Sequence, residues 1–393
     1  MTQMVQKRKT FYLAGYDPRG SRHYYNMYKK EALEQSKING MEIEVASRRC
    51  SGDYIHTWKI HTHTQQEERV LSTETEYSFL SWDDLIRQTW RKSFFAFVID
   101  AFRFLYIYCL SGIIVRWAKL FPPFLKAALS PFLYILLTLL AVCAIFYVGV
   151  QILTPYLPTA IATLLLVFPA YLLIKLSMHF GSKIAVLWLL RLLTSFGTYV
   201  SRPNVALSER LELFAVHIAD KINSAEEDEI DEILIVAHSV GTILAIPMLA
   251  SILERIRRES SILERVSVMT LGECIPLVSF LKDADAYRSK MRDVSESGLF
   301  WVDFSSPIDQ VCFPLLDFYA ASGMIVPDRH KPLLLSPRFH TMYHKEKYVK
   351  TKKDIMAAHF LYLMSTDRVG EYDYFKITAG HLPLCHYAQK GVA

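Results

Sequence analysis

The longest uncharged stretch of the chain covers residues 127–174, in which 48 consecutive positions include no Asp, Glu, Lys or Arg. A membrane-spanning helix needs about 20 apolar residues, so this stretch is long enough for two spans. Pro155 and Pro158 divide it, and two prolines so close together favour a turn. The pattern predicts transmembrane helices at about 130–153 and 159–179. The alternative is a helical hairpin buried in a soluble core.

Basic residues flank this hairpin on both sides, and no acidic residue interrupts either flank. They are Arg116, Lys119 and Lys126 before the first span and Lys175, Lys183 and Arg191 after the second. Cytoplasmic flanks of membrane spans are enriched in Lys and Arg. We therefore expect both flanks, and with them both termini, to face the cytoplasm.

Two further apolar segments border the hairpin, at 93–117 and 184–199. Asp100 and Arg103 interrupt the first, and tryptophans lie near its ends. Such segments are typical of amphipathic helices that lie in the membrane interface and do not cross the bilayer. We expect residues 91–200 to form one membrane insertion.

The remaining parts, 1–90 and 201–393, are predicted to form one interrupted domain, because short apolar runs alternate with helical patterns. Strands are predicted at 11–14, 41–46, 233–236, 266–271 and 300–304, and helices at 21–37, 208–223 and 241–258. Alternating strands and helices favour an α/β fold with a doubly wound, mostly parallel sheet. The membrane segment would then be an insertion into this domain.

Composition excludes several classes of protein. With 52% hydrophobic and 21% charged residues, the chain is neither disordered nor fibrous. The formal charge of +5 is carried by scattered basic residues, so no nucleic-acid partner is expected. The six cysteines include no C-x-x-C pair, and no phosphate-binding glycine motif is present. We therefore expect neither a metal site nor a cofactor.

The segment Ala237-His238-Ser239-Val240-Gly241 directly follows a predicted buried strand and precedes a predicted helix. A sharp turn between strand and helix needs small residues two positions before and after the serine, and Ala237 and Gly241 are small. The segment resembles the nucleophile elbow of the α/β-hydrolase superfamily, whose motif is G-x-S-x-G, with Ala237 in place of the first glycine. A serine that merely caps a core helix is the alternative.

The resemblance implies a catalytic acid and a base that follow the nucleophile in the chain. Asp309 lies just after the predicted strand at 300–304, and His359 opens an apolar helical run. These two are the expected acid and base, with His340 as the second candidate for the base. A surface carboxylate and a structural histidine are the alternatives.

The same resemblance implies an oxyanion hole made of backbone N–H groups. One would come from Val240, the residue after the nucleophile. The other would come from Tyr16, because Leu13-Ala14-Gly15-Tyr16 resembles the start of the superfamily's oxyanion loop. An ordinary Pro-Gly turn is the alternative for this loop.

The phrase Gly15-Tyr16-Asp17-Pro18-Arg19-Gly20 and the tail motif Asp373-Tyr374-Phe375 are also similar to those of bacterial membrane-anchored hydrolase-like proteins. This likeness implies an integral protein of the bacterial inner (cytoplasmic) membrane with its hydrolase-like domain in the cytoplasm.

The expected function is that of a serine hydrolase that cleaves an acyl ester of a lipid or another apolar molecule. The expected partners are the lipid bilayer and this substrate, and self-association into a homo-oligomer is left open. The alternatives are a catalytically inactive membrane scaffold or assembly factor, and an acyltransferase that uses the same triad.

Overall fold

The structure is a computed structural model that describes residues 4–66, 69–90, 93–225, 229–256 and 263–390. Contacts between residues divide the chain into two compact units. The first, here called the sheet unit, comprises Met1–Thr89 and Pro203–Ala393, and the second, the helical unit, comprises Trp90–Arg202.

A central sheet of nine strands organises the described part of the sheet unit. The strands are β1 Lys7–Leu13, β2 Met41–Val45, β3 Arg49–Gly52, β4 Ile55–Gln66, β5 Arg69–Leu80, β6 Glu232–His238, β7 Val266–Leu271, β8 Phe300–Phe304 and β9 Leu333–Leu335. Their spatial order is β2-β4-β5-β1-β6-β7-β8-β9, and β3 pairs with β4. The five pairings from β5 through β1, β6, β7 and β8 to β9 are parallel. The predicted mixed α/β class with a mostly parallel sheet is confirmed.

The centre of the sheet explains the apolar run at 233–236. Strand β6 lies between β1 and β7, and every residue from Glu232 to His238 is buried. A strand covered on both faces needs apolar side chains at consecutive positions, which is the pattern of Ile233-Leu234-Ile235-Val236. Strand β1 pairs with β6 in a register that aligns Leu13 with Ala237. The loops after these two strands therefore start side by side.

Sequence analysis set no strand boundaries between residue 46 and residue 90, where the structure has β3, β4 and β5. These strands pair antiparallel to one another, with Ile55 opposite Leu80 at one end of the β4–β5 hairpin and Gln66 opposite Arg69 at the other. They are rich in Thr, Glu, His and Gln, so only the alternation of buried and exposed side chains marks them as strands.

Helices surround the sheet and form the whole helical unit. The first two are α1 Gly20–Asn39 and α2 Asp83–Thr89. The helical unit contains α3 Phe94–Phe104, α4 Ile113–Leu120, α5 Pro122–Leu153, α6 Thr159–Lys183 and α7 Val186–Gly197. The chain then forms α8 Val205–Asn223, α9 Gly241–Arg255, α10 Pro276–Ser279, α11 Asp285–Glu296, α12 Phe318–Ala321, α13 Phe339–Met342, α14 Lys345–Lys352, α15 Ile355–Phe360, α16 Tyr374–Ala379 and α17 Leu384–Lys390.

Two helices of the helical unit, α5 and α6, are long and apolar enough to cross a membrane. They include the predicted spans, but α5 begins earlier, at Pro122, and α6 ends later, at Lys183. The turn between them falls at 154–158, where the two prolines predicted it. By length and composition the chain can therefore be an integral membrane protein.

The segment before these helices is bent rather than straight. Phe94–Cys109 and Ile113–Leu120 meet at an angle of 73° and would together form a broken span or a re-entrant segment. Gly112, with a φ of +80°, lies in the break, where a left-handed backbone favours glycine. Sequence analysis expected a single interfacial helix here, because the consequence of Gly112 was not recognised.

Candidate active site

Ser239 lies between the end of β6 and the start of α9, in a sharp turn. Its φ of +60° is in the left-handed region, which a residue with a side chain rarely adopts. The backbone is held there because the Ser239 N–H donates to the Leu271 carbonyl (2.9 Å) and the Ser239 carbonyl accepts from the Thr242 hydroxyl (2.7 Å). Strained residues that the surroundings fix in this way cluster at functional sites. The turn has the geometry that a nucleophile elbow requires.

Two glycines allow the β1 loop to approach this turn. A Cβ on Gly15 would lie 2.8 Å from Ser239 Cβ and 3.1 Å from Ser239 Oγ. A Cβ on Gly241 would lie 2.6 Å from the Leu13 carbonyl oxygen and 2.8 Å from that of Ala14. Both contacts are too short for any side chain, so glycine is required at both positions by close backbone approach.

His359 and Asp309 are brought together by the fold. His359 Nδ1 donates to Asp309 Oδ2 at 2.8 Å, and both side chains are almost completely buried. The Val311 N–H donates to the other carboxylate oxygen at 3.1 Å. Burial raises the pKa of Asp309, but the His359 ring and these hydrogen bonds outweigh it, so the pKa lies below its ordinary value. Asp309 is therefore a carboxylate that fixes the tautomer of His359.

The His359 ring lies beside the elbow. It packs against the ring of His238, the residue before Ser239, with centroids 4.7 Å apart and planes tilted by 30°. His238 Nε2 lies 3.1 Å from the His359 carbonyl oxygen, to which it donates. Burial and repulsion from His359 lower the pKa of His238 to about 3. A neutral His238 therefore connects the elbow to the helix that carries His359.

Ser239 is only 4% exposed and His359 only 2%. Among the described residues, no hydrogen bond joins Ser239 Oγ to His359. The Ser239 hydroxyl instead interacts with the Cys274 thiol, whose pKa burial raises well above its ordinary value. The structure thus pairs the expected acid and base and packs the expected base against His238, the residue before the expected nucleophile. Both Ser239 and His359 are closed to solvent.

The expected oxyanion donors belong to the two elements that meet at Ser239, the β1 loop and the start of α9. Val240 is the N-cap of α9, where N–H groups have no partner within the helix. Tyr16 follows Gly15 in the β1 loop, and Trp82 Nε1 donates to the Ala14 carbonyl at 3.0 Å to anchor this loop. Asp17 N–H donates to the Gly15 carbonyl (2.9 Å), which tightens the turn around Tyr16.

The second candidate for the base, His340, and the other two carboxylates near Asp309 in the sequence, Asp303 and Asp317, make different contacts. Asp303, inside β8, accepts hydrogen bonds from the Thr270 and Ser305 hydroxyls, and burial raises its pKa to about 6. Asp317 caps α12 and pairs with Lys331 at 3.0 Å. His340 is exposed, and its ring faces Tyr348 at a centroid distance of 6.4 Å.

Sequence reasoning missed the residues that support the acid loop. Gly272, with a φ of +57°, lies so close to Asp309 that an added Cβ would be 2.9 Å from Oδ2. The Tyr362 hydroxyl accepts the Ser306 N–H at 2.9 Å and so holds the loop that carries Asp309. Tyr362 lies three residues after His359 in the same apolar run, and this position is the sequence feature from which its role could have been predicted. The role of Gly272 depends on its contact with Asp309, which the fold creates and which no local sequence motif predicts.

No family model, no curated protein and no solved structure matches this chain. An assignment of function therefore depends on the geometry of the site.

Proposed function

We propose that the protein is a membrane-anchored serine hydrolase that cleaves acyl esters with the triad Ser239, His359 and Asp309. The observation that carries this proposal is the left-handed serine at the strand–helix turn, with the hydrogen-bonded His359–Asp309 pair packed against its neighbour His238. An ordinary helix-capping serine needs neither the strained backbone nor a buried imidazole–carboxylate pair beside it.

The placement of these groups on the sheet supports an α/β-hydrolase-like fold. The elbow follows the central strand β6, the oxyanion loop follows its neighbour β1, and the acid loop follows β8, two strands away on the other side. Because these strands are parallel, their carboxyl ends lie at one edge of the sheet, which is where ligands bind in open α/β sheets. The chain order of nucleophile, acid and histidine is also that of the superfamily.

The chemistry would proceed through an acyl-enzyme. Ser239 Oγ attacks the ester carbonyl while its proton passes to His359 Nε2, and Asp309 stabilises the imidazolium that forms. The N–H groups of Val240 and Tyr16 donate to the oxyanion. The C–O bond then breaks, and the departing alcohol takes the proton from His359. Water, activated by His359, hydrolyses the acyl-enzyme and releases the carboxylic acid.

The membrane-crossing helices favour a substrate that is itself apolar or resides in the bilayer, because an anchor raises the local concentration of enzyme at the lipid surface. The basic flanks of these helices favour a cytoplasmic location for both termini and the sheet unit, in a bacterial inner membrane.

One observation favours a catalytically inactive scaffold as the second candidate. The described residues include no hydrogen bond between Ser239 and His359, although catalytic hydrogen bonds are often long before substrate binds.

Transfer of the acyl group to an alcohol in place of water would use the same acyl-enzyme. An added alcohol acceptor distinguishes this transfer from hydrolysis, because the product is then a new ester.

The test is hydrolysis of a short-chain chromogenic ester by the detergent-solubilised protein. We expect Ser239→Ala and His359→Ala each to lower the rate by roughly 10³-fold or more. His340→Ala is the matched control, because His340 is exposed and it is His359 that is hydrogen-bonded to Asp309, so this variant should retain the wild-type rate. Equal activity of wild type and Ser239→Ala would contradict the proposal.

A further inference from the structure

A groove of about 660 Å³ lies between α1 and the segment 343–367 of the sheet unit. This volume is within the range of small-molecule sites, which is roughly 300–1,000 Å³. Apolar side chains line it from both walls: Ile38 from α1, and Ala357, Phe360, Leu361 and Met364 from the opposite wall. Three of these residues lie within two positions of His359, so the groove borders the helix that carries the expected base.

The charged residues at the groove neutralise one another. Lys30 pairs with Glu31 at 3.3 Å and Lys37 with Glu34 at 2.8 Å, both on α1. On the opposite wall, Lys347 pairs with Asp367 at 2.7 Å. Three cations and three carboxylates leave no excess charge to attract an ionic ligand. The chemistry of the groove therefore suits an apolar chain rather than an anionic head group.

Phe360 belongs to both the groove and the active site. Its ring packs edge-to-face against His238 (centroids 5.4 Å apart) and lies 5.9 Å from the ring of His359. The Arg19 guanidinium lies over the same ring, 5.0 Å from its centroid. Arg19 comes from the oxyanion loop, where Asp17 holds it by a 2.6 Å ion pair.

The near-complete burial of Ser239 and His359 means that a side chain must move before an ester can bind. Phe360 is only half-buried, and it borders both the two imidazoles and the groove. Its contact with Arg19 is a cation–π interaction at a partly exposed site, where such interactions are weak and easily broken. Movement of this ring would therefore join the groove to the site at little cost.

On the basis of the proposed function, we infer that Phe360 is the gate of the Ser239 site, that Arg19 holds it closed, and that the groove takes the apolar acyl chain of the ester. The substrate class is then an ester of a medium- or long-chain fatty acid. If the substrate is a lipid with an anionic head group, this head group does not need to bind in the groove.

The first test compares acetyl and octanoyl esters of the same chromogenic alcohol. Octanoate should be preferred by the wild type, with kcat/KM rising by up to about fourfold per buried methylene. Ala357→Trp, which fills the groove from an exposed position, should abolish this preference by lowering kcat/KM for the octanoyl ester much more than for the acetyl ester. Leu33→Trp is the control, because Leu33 is exposed on α1 outside the groove. Equal loss for both esters in Ala357→Trp, or no loss for either, would overturn the inference.

The gate is tested by the rate of labelling with a small fluorophosphonate. Phe360→Ala and Arg19→Gln should each raise the rate by roughly two- to fivefold, which is the population shift that loss of a cation–π contact produces. Thermal unfolding verifies that both variants are folded. Unchanged labelling in both folded variants would contradict the gating role.

Failure of the proposed function is distinguishable from failure of this inference. If wild type neither hydrolyses esters nor labels, binding of a fluorescent long-chain fatty acid to Ser239→Ala protein in lipid nanodiscs still tests the groove. Tight binding that Ala357→Trp weakens and Leu33→Trp does not would support the groove without catalysis. Equal binding by both variants would overturn it.

Discussion

The sheet unit buries charged groups, whereas the helical unit exposes large apolar side chains. The sheet unit buries Arg8, which pairs with Glu232 at 2.7 Å and also donates to the carbonyls of Gly380 and Leu382. The helical unit leaves large apolar side chains on its surface, including Phe102 at 65% exposure. A buried charge is costly unless it is paired and hydrogen-bonded, and a large contiguous apolar surface marks a site of contact with a membrane or another protein. The first unit contains the site for which we propose ester hydrolysis, and the second contains two helices that are long and apolar enough to cross a membrane.

Each unit nevertheless contains a buried pair of arginine and carboxylate that joins segments distant in sequence. In the sheet unit, Arg8–Glu232 joins two central strands to the C-terminal segment. In the helical unit, Arg191 of α7 pairs with Asp100 of α3 at 2.8 Å. Isolated charges in apolar surroundings are costly, so both pairs fix the mutual position of the elements that carry them.

The largest expected effect concerns the chemistry assigned to the sheet unit. Asp309→Asn should lower ester hydrolysis by roughly 10⁴-fold, because the amide favours the wrong tautomer of His359. The circular dichroism spectrum and membrane insertion should not change. A steady-state assay with an activated ester measures the rate. If the rate of hydrolysis falls by less than tenfold, Asp309 is not the acid that orients His359.

Loss of the buried cation of the sheet unit should be the next largest effect. Arg8→Met leaves Glu232 buried without its partner and should lower the free energy of unfolding by about 3–5 kcal/mol. Lys7→Met removes the neighbouring but exposed pair with Glu229 and should have little effect. Denaturant titration of the two variants makes the comparison, and equal stabilities would show that burial is not what distinguishes the pairs.

A matched substitution in the two units isolates the role of lipid. Leu140 in α5 and Leu33 in α1 are almost equally exposed, at 56% and 58%. Leu140→Lys should oppose membrane insertion by about 2.5–3.5 kcal/mol, because a lysine near the centre of a span is costly in hydrocarbon. Leu33→Lys should change stability by less than about 0.5 kcal/mol, because Leu33 faces water. Alkaline extraction of membranes followed by immunoblotting distinguishes them, and full retention of Leu140→Lys would contradict a membrane-crossing α5.

The smallest effect is a pH dependence that arises from His238. Its pKa is about 3 in the folded chain and about 6.5 when unfolded, so the unfolded chain binds the extra proton between these values. Stability from the neutral ring is complete above pH 6.5 and is lost as pH falls towards 3. At pH 5.5 the loss is about 1.4 kcal/mol. His238→Gln keeps a donor to the His359 carbonyl and should flatten this part of the profile. Denaturant titrations at pH 7.5 and 5.5 measure it, and parallel profiles would contradict a buried neutral His238.

The sequence was most informative where local pattern and chain order carry the structure. The uncharged run predicted two membrane-crossing helices, and the apolar run at 233–236 predicted a central strand. Asp309 and His359, chosen from their order after Ser239, lie 2.8 Å apart. By contrast, the packing of Phe360 between Arg19 and His238 joins residues more than a hundred positions apart, and no local periodicity encodes such a contact.

The most direct measurement of the central claim is fluorophosphonate labelling of the full-length protein in detergent, with the modified peptide located by mass spectrometry. A fluorophosphonate reacts with an activated serine and hardly with an ordinary hydroxyl. We predict one adduct, on Ser239, that is absent in His359→Ala and present in His340→Ala. Well-folded wild-type protein without an adduct, or with an adduct on another serine, would contradict it.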